Sequence, residues 1–130
     1  EMSAHHYFRD FAYCDSGIIP WLLIWEYLSM SNLSLSELIS ERRKRFPSSE
    51  ELNFKVTDAA KCIKIVQSHF TSRATSIDEL DGLSMSFNTW RFNLRKSNTE
   101  PLVRLNVETR GDYKLLKNKS KELKLLIKQP

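Results

Sequence analysis

A short segment of the sequence, residues 95–101, carries the side chains that typically bind phosphate esters. Its candidate phosphate-binding residues are Arg95, Ser97, Asn98 and Thr99. The guanidinium offers a planar fork of N–H donors, the hydroxyls and the amide add single donors, and turn-forming backbone N–H groups make a concave site for an anion. The same residue types are common in hairpin turns, so an ordinary polar loop is the alternative interpretation. Glu100 favours that alternative, because a carboxylate repels an anion unless it points away.

The opening residues form a second group, which suits a sugar. The carboxylate of Glu1 accepts hydrogen bonds and the hydroxyl of Ser3 donates or accepts them, which matches two neighbouring hydroxyls of a polyol. His5 adds a group for phosphate contact or proton transfer, because histidine titrates nearest to neutral pH. A chain terminus without a defined site is the alternative interpretation.

The composition is that of a globular protein. Of 130 residues, 41% are hydrophobic and 28% are charged, with three glycines and four prolines, which excludes the disordered and fibrous classes. The formal net charge of +4 favours anionic partners, phosphate esters and polynucleotides alike. Cys14 and Cys62 form no C-x-x-C pair and the nearby histidines are adjacent, so neither a disulfide framework nor a metal site is predicted, and the cytoplasm is the expected location.

The first 46 residues are predicted to be mostly helical. One helix is expected from Gly17 to Met30, and a second runs into the basic residues 42–45, whose cations suit a helix C-terminus. The first helix is apolar on nearly every side, and the rest of the chain is not expected to cover it. Self-association through Ile18–Trp25 is therefore predicted. That apolar run is far shorter than the roughly 20 residues of a membrane span, so no membrane contact is predicted.

Residues 47–130 are predicted to form a layered α+β domain. Alternating apolar residues predict strands near residues 52–56, 77–80, 83–87, 90–95 and 103–107, of which the last two should pair antiparallel. Asp81-Gly82 predicts the turn of a hairpin, Thr57 is expected to cap one helix, and a last helix is expected to begin at Gly111 or Asp112. The expected architecture is an antiparallel sheet of about four strands packed with two helices, preceded by a helical remnant of an α/β domain.

Two stretches resemble, in the same order, the bacterial phosphomannomutases of the α-D-phosphohexomutase family. They are EMSAHHYFRDFAYCDSGIIPWLL at the start and WRFNLRKSNTEPLVRLNVE from Trp90. The resemblance runs over nearly the whole chain and implies two domains: residues 1–46 as the end of the third, sugar-binding α/β domain, and residues 47–130 as the complete fourth, phosphate-binding domain. The chain begins with Glu1 rather than Met, which is expected of a fragment of a longer enzyme.

The resemblance also implies roles for single residues. Glu1 and Ser3 match the loop that binds the sugar hydroxyls, although the glycine that leads this motif is missing here, and His5 matches a histidine of the active-site cleft. The phosphate that is not being transferred is held in that family by a loop matching four residues here, Arg95, Ser97, Asn98 and Thr99. Glu100 occupies a variable position of the motif, so its carboxylate counts less against a phosphate site.

The family reaction interconverts mannose 1-phosphate and mannose 6-phosphate through mannose 1,6-bisphosphate. It uses an active-site phosphoserine and Mg²⁺ held by a D-x-D-x-D loop, and no such loop occurs in this sequence. The resemblance therefore implies that Mg²⁺ is bound by absent domains, that no catalytic or metal-binding residue lies in this chain, and that the chain is inactive alone. A phosphoglucomutase or a dual-specificity phosphohexomutase is the alternative within the family, and GDP-mannose and polysaccharide synthesis is the pathway that the resemblance suggests.

A small basic nucleic-acid-binding module is the alternative outside the enzymes. Its support is the net charge and the basic run at residues 42–45, which is more typical of a solvated helix end. Trp21, Trp25 and Trp90 stand within apolar patterns and are expected in the core rather than stacked on bases. No nucleic-acid partner is therefore predicted.

Overall fold

The computed structural model of the protein describes residues 5–128, which form two compact units divided between Glu41 and Arg42. The helices and strands of the N-terminal part are β1 (Tyr7–Phe8), β2 (Cys14–Asp15), α1 (Ile18–Met30) and α2 (Leu35–Arg45). The division runs through α2, whereas the sequence places a domain boundary directly after residue 46. That boundary stays a prediction.

In the first unit, β1 and β2 pair antiparallel with Tyr7 opposite Asp15. The chain reverses through a short 3₁₀ helix and through Ala12 and Tyr13, whose φ values of 51° and 56° lie in the left-handed region. The hairpin brings the opening histidines next to the start of α1.

Helix α1 begins after Ser16, whose Oγ accepts a hydrogen bond from the Ile19 N–H at 3.3 Å. None of its residues is buried, and the expectation that Trp21 and Trp25 lie in the core is wrong, since they are 57% and 62% exposed. The apolar side chains of α1 are open because this unit holds too little other structure to cover them. Across residues 5–128, every helix is too short or too polar to cross a membrane.

Helix α2 starts with a reciprocal cap. The Ser34 N–H donates to Glu37 Oε2 at 2.8 Å, and the Glu37 N–H donates to Ser34 Oγ at 3.3 Å. The basic residues 42–45 occupy its last turn and are exposed, so they form a solvated helix end.

The second unit is built on one antiparallel sheet with two helices. Its elements are β3 (Leu52–Lys55), α3 (Ala59–Phe70), β4 (Ser76–Asp78), β5 (Leu83–Ser86), β6 (Trp90–Lys96), β7 (Leu102–Thr109) and α4 (Tyr113–Ile127). The sheet order is β3-β7-β6-β5-β4, and every neighbouring pair is antiparallel. The predicted α+β class and the antiparallel pairing of the two long strands are confirmed. The sheet has five strands, because the short strands β4 and β5 both join it.

The core lies between one face of the sheet and the two helices. Its fully buried side chains include Phe92, Leu94 and Leu105 from the strands and Val66 and Leu123 from α3 and α4. Trp90 is 8% exposed and belongs to this core, as expected.

Aspartates cap both helices of this unit. Asp58 accepts from the Lys61 N–H at 2.9 Å and Asp112 accepts from the Leu115 N–H at 2.8 Å. The predicted cap at Thr57 is therefore one residue too early, and the last helix begins at Tyr113, directly after the predicted start at Gly111 or Asp112. The opposite face of the sheet carries mostly polar side chains.

Candidate functional site

Arg95 is placed by the alternation of strand β6. Leu94 faces the core opposite Leu105, so the next residue, Arg95, points to the polar face of the sheet and lies directly opposite Arg104 of β7. The Arg95 side chain is 19% exposed and that of Arg104 is 32% exposed. Both guanidiniums are thus partly shielded from water, where charge interactions are stronger than in bulk solvent.

A single carboxylate bridges these two arginines. Glu51, the residue before β3, places Oε2 at 3.4 Å from Arg95 Nη2 and Oε1 at 3.5 Å from Arg104 Nη1. Like charges directly opposite each other across two strands repel, and a carboxylate between them relieves that repulsion. The three side chains together carry a formal charge of +1. We call these three residues the two-arginine cluster.

The predicted turn at Asp81-Gly82 lies against the backbone of Arg95. Gly82 has a φ of +72°, and a Cβ added there would meet Arg95 Cβ at 2.6 Å and the carbonyl oxygen of Leu94 at 2.8 Å. The buried side chain of Asn93 donates to the carbonyl oxygen of Asp81 at 2.8 Å and holds the turn from the other side. The turn and the strand therefore fix each other.

The loop that follows Arg95 is closed by backbone hydrogen bonds. The Ser97 N–H donates to the Leu102 carbonyl oxygen at 2.9 Å. Ser97 Oγ accepts from the N–H groups of Thr99 and Glu100 at 3.4 and 3.3 Å, so two neighbouring backbone donors point at one position. Asn98 and Thr99 are exposed at the tip. The four predicted phosphate-binding residues thus occupy one strand end and one tight loop.

His5 belongs to the first unit and is held by Asp15. Its Nδ1 lies 2.5 Å from Asp15 Oδ2, and the backbone N–H of His6 donates to Asp15 Oδ1 at 3.1 Å. The hydrogen bond from His5 is the largest cause that lowers the pKa of the Asp15 carboxyl below its ordinary value. An ionised carboxylate at this position keeps a proton on Nδ1 and orients the ring. Glu1 and Ser3 lie outside the described residues.

Three residues that contact or lie opposite the predicted site residues were missed from the sequence. They are Asp15, Glu51 and Arg104. The position of Arg104 opposite Arg95 could be predicted from the sequence only if the register between the two strands that flank the loop were known. The contact of Asp15 with His5 follows from the pairing of β1 with β2, for which the sequence gives no signal.

The described residues do not fit a metal ion. Within residues 5–128, the structure brings together no group of three or more His, Cys, Asp or Glu side chains that could hold one.

Two family models match this chain. The model of the phosphoglucomutase/phosphomannomutase C-terminal domain matches residues 51–125, and that of the phosphoglucomutase/phosphomannomutase alpha/beta/alpha domain III matches residues 1–46. The chain belongs to the phosphoglucomutase/phosphomannomutase family. The family predicted from the two motifs is confirmed.

Curated relatives are similar over nearly all of this chain. A phosphomannomutase of Salmonella montevideo is 56% identical over 98% of this chain and 28% of its own length. A phosphomannomutase of Escherichia coli strain K12 is 52% identical over 99% of this chain and 28% of its own length. A protein of Xanthomonas campestris pv. campestris strain B100 named phosphohexose mutases is 55% identical over 98% of this chain and 29% of its own length. The chain thus spans well under a third of the length of these relatives.

A solved structure has the same fold. It is that of a phosphoglucomutase/phosphomannomutase family protein from Burkholderia thailandensis, which superposes with a TM-score of 0.63 over 99% of this chain and 28% of that chain. The two sequences are 23% identical, so this likeness concerns the fold alone.

Proposed function

We propose that this chain is the substrate-binding C-terminal part of a phosphomannomutase. The parent enzyme would interconvert mannose 1-phosphate and mannose 6-phosphate by phosphoryl transfer through mannose 1,6-bisphosphate. The observation that carries the proposal is the position of Arg95, whose side chain is 19% exposed at a strand end directly before a tight loop that holds Ser97, Asn98 and Thr99. The names of relatives that are 52% to 56% identical support it.

The loop's part in this reaction is to hold the phosphate that is not being transferred. The guanidinium of Arg95 binds phosphate oxygens as a fork, and the hydroxyls of Ser97 and Thr99 and the amide of Asn98 add hydrogen bonds. Fixing one end of the substrate presents the other end to the reacting group and lowers the entropic part of the barrier. Both ends of the sugar react in turn, and a site that recognises only a phosphate accepts either orientation.

The opening residues supply the sugar contacts in this proposal. Glu1 and Ser3 bind sugar hydroxyls, and His5 contributes a ring nitrogen in the active-site cleft. The support for His5 is its contact with Asp15, which fixes the orientation of the imidazole. Histidines held by a carboxylate in this way are suited to donating or accepting a proton at a defined position.

The chemical step itself belongs, in our proposal, to parts of the parent enzyme outside this chain. Those parts would hold the phosphoserine and Mg²⁺, and this chain alone would not catalyse the reaction, because phosphoryl transfer needs the nucleophile and the metal in line with the phosphate. We place the enzyme in the cytoplasm, which is supported by two free thiols, and in GDP-mannose and polysaccharide synthesis.

A phosphohexomutase that also accepts glucose phosphates is the second candidate. The observation that favours it is the name of the Xanthomonas relatives, phosphohexose mutases, at 55% identity. A clamp that binds only a phosphate does not distinguish mannose from glucose.

A chimera tests the proposal. The matching 28% of the Salmonella montevideo enzyme is replaced by this chain, and conversion of mannose 1-phosphate is compared with that of glucose 1-phosphate. We expect the chimera to be active, the chain alone to be inactive, and Arg95→Gln in the chimera to lower kcat/KM by about tenfold or more. A folded chimera without activity, or one indifferent to Arg95→Gln, contradicts the proposal. Equal kcat/KM for both sugars favours the second candidate.

A further inference from the structure

Helix α4 carries a straight row of lysines on its solvent side. The row consists of Lys114, Lys117, Lys121, Lys124 and Lys128, and all of them are exposed. Successive members are three, four, three and four residues apart, which places them on one face of a helix. Leu116, Leu123 and Ile127, on the other side of α4, are buried in the core. At about 1.5 Å per residue the row is roughly 21 Å long.

No carboxylate of the described chain neutralises this row. Within residues 5–128, none of the lysines in the row takes part in an ion pair. The acidic residue of α4, Glu122, contacts His69 of α3 at 3.3 Å and Lys119 at 2.7 Å instead. Like charges four residues apart destabilise a helix, so the row disfavours the helical conformation of α4, and an acidic partner would remove this repulsion.

The spacing of the row matches that of a second helix. Side chains three and four residues apart on a helix have Cβ atoms about 5 to 6 Å apart, for carboxylates on a partner as for lysines on α4. A helix with Asp or Glu at the same alternating spacing, lying along α4, therefore places one carboxylate opposite each lysine. Leu125 directly follows Lys124 and is 58% exposed, so it offers an apolar contact to the same partner.

Two other kinds of polyanion fit this surface less well. Proteins that bind single-stranded nucleic acids combine cations with aromatic side chains on which the bases stack, whereas the aromatic content of α4 is limited to Tyr113 at its start. A helix that lies on an anionic membrane inserts its apolar face into the lipid, whereas the apolar face of α4 is buried in the core of its own unit.

We propose that the lysine row of α4 docks an acidic helix of a partner protein. The inference goes beyond the proposed function, because the row lies on α4, whereas the proposed substrate contacts lie on β6, on the loop after it and in the opening segment. If the docking site fails its test, the proposed function is unaffected.

Fluorescence anisotropy of labelled peptides with the 130-residue chain tests the inference. One alanine-based helical peptide carries as many glutamates as the row has lysines, at the same alternating spacing. A second peptide of the same composition has its glutamates distributed around the helix. We expect the first to bind about tenfold more tightly than the second, because only the first can pair every lysine at once. Raising the salt concentration from about 0.1 M to about 1 M should abolish the binding, since the Debye length falls from about 10 Å to about 3 Å.

Lys121→Gln/Lys124→Gln is the test variant and Lys61→Gln/Lys64→Gln is the matched control. Both variants remove two charges from exposed lysines three residues apart on a helix, and glutamine retains the helix propensity of lysine. We expect the α4 variant to weaken the first peptide by about fivefold or more, and the α3 control to leave its affinity unchanged.

The other outcomes each overturn the inference. If the two peptides bind equally, or if the α3 control weakens binding as much as the α4 variant does, the attraction is general electrostatics. If a single-stranded oligonucleotide or a phosphatidylserine vesicle binds more tightly than the first peptide and loses affinity in the α4 variant, the row recognises a nucleic acid or a membrane instead. If neither peptide binds at millimolar concentration, the row is only a solvated face.

Discussion

Gly82 packs so closely on Arg95 that a Cβ at residue 82 would lie 2.6 Å from the Cβ of Arg95. A turn between two short strands thus sets the position of the arginine that we propose binds phosphate. The glycine is required twice over, since its φ of +72° is also a conformation that L side chains rarely adopt.

Gly82→Ala should therefore damage both stability and binding. The positive φ costs roughly 1 kcal/mol or more, and relief of the contact with Arg95 must move strand β6 or the turn. We expect a lower free energy of unfolding in urea and a weaker affinity for mannose 1-phosphate. Gly111→Ala is the control, because Gly111 has a φ of +70° with nothing within 4 Å of the added Cβ. If the two variants lose equal stability and neither loses affinity, the close approach of Gly82 to Arg95 affects neither stability nor binding, and the prediction is wrong.

Glu51→Gln should lower the free energy of unfolding only slightly, and the size of this loss should depend on the salt concentration. Removing the carboxylate leaves Arg95 and Arg104 opposite each other, but all three side chains are partly exposed, so the loss should stay within about 1 kcal/mol. Added salt should reduce it by screening the repulsion. In the double variant Glu51→Gln/Arg104→Gln the loss should largely disappear, as measured by urea unfolding. A loss that is unchanged by salt and by the second substitution would contradict this account of the cluster.

The carboxyl of Asp15 should titrate below the ordinary pKa of an aspartate, because it accepts a hydrogen bond from His5. With the folded pKa depressed, the contact is fully present above the unfolded value of about 3.8 and is lost as pH falls through the folded pKa. Carboxyl-detected NMR titration measures this midpoint. We expect His5→Gln to raise it toward 3.8.

His6→Gln is the control for that titration. His6 contributes its backbone N–H to Asp15, which the substitution retains, so the midpoint should not move. If the titration midpoint of Asp15 does not change in His5→Gln, the hydrogen bond from His5 does not lower the pKa of this carboxyl.

The apolar surface of α1 should drive self-association of the isolated chain. Trp21 and Trp25 are more than half exposed, with ring centroids 5.4 Å apart, and large exposed apolar patches tend to associate. We expect sedimentation velocity to show a concentration-dependent dimer that Trp21→Ser/Trp25→Ser abolishes. Leu80→Ser, at a side chain that is 95% exposed in the second unit, is the control. A monomer at all concentrations rules out the association.

Much of the second unit follows from periodicity. The alternation at Trp90, Phe92 and Leu94 predicts which side chains enter the core, and it therefore places Arg95 on the opposite face. Period alone does not fix the register between strands, so the pairing of Arg95 with Arg104 was not predicted. Glu51 follows Glu50, whose φ of 59° is unusual for a residue other than glycine and gives no signal in the sequence.

The first unit was less predictable for a different reason. Burial of Trp21 and Trp25 depends on other structure packing over α1, which an apolar pattern requires but does not supply. The contact between His5 and Asp15 joins residues ten positions apart through a hairpin of two-residue strands, too short to produce a pattern of alternation.

Residues 95–99 bind the phosphate of a phosphorylated sugar in the function that we propose. An amide-resolved NMR titration of this chain with mannose 1-phosphate tests it most directly, with mannose and inorganic phosphate as controls. We expect mannose 1-phosphate and phosphate to shift the amides of Arg95 to Thr99, and mannose to leave them unchanged. Shifts that lie elsewhere, or none at millimolar ligand, would contradict it.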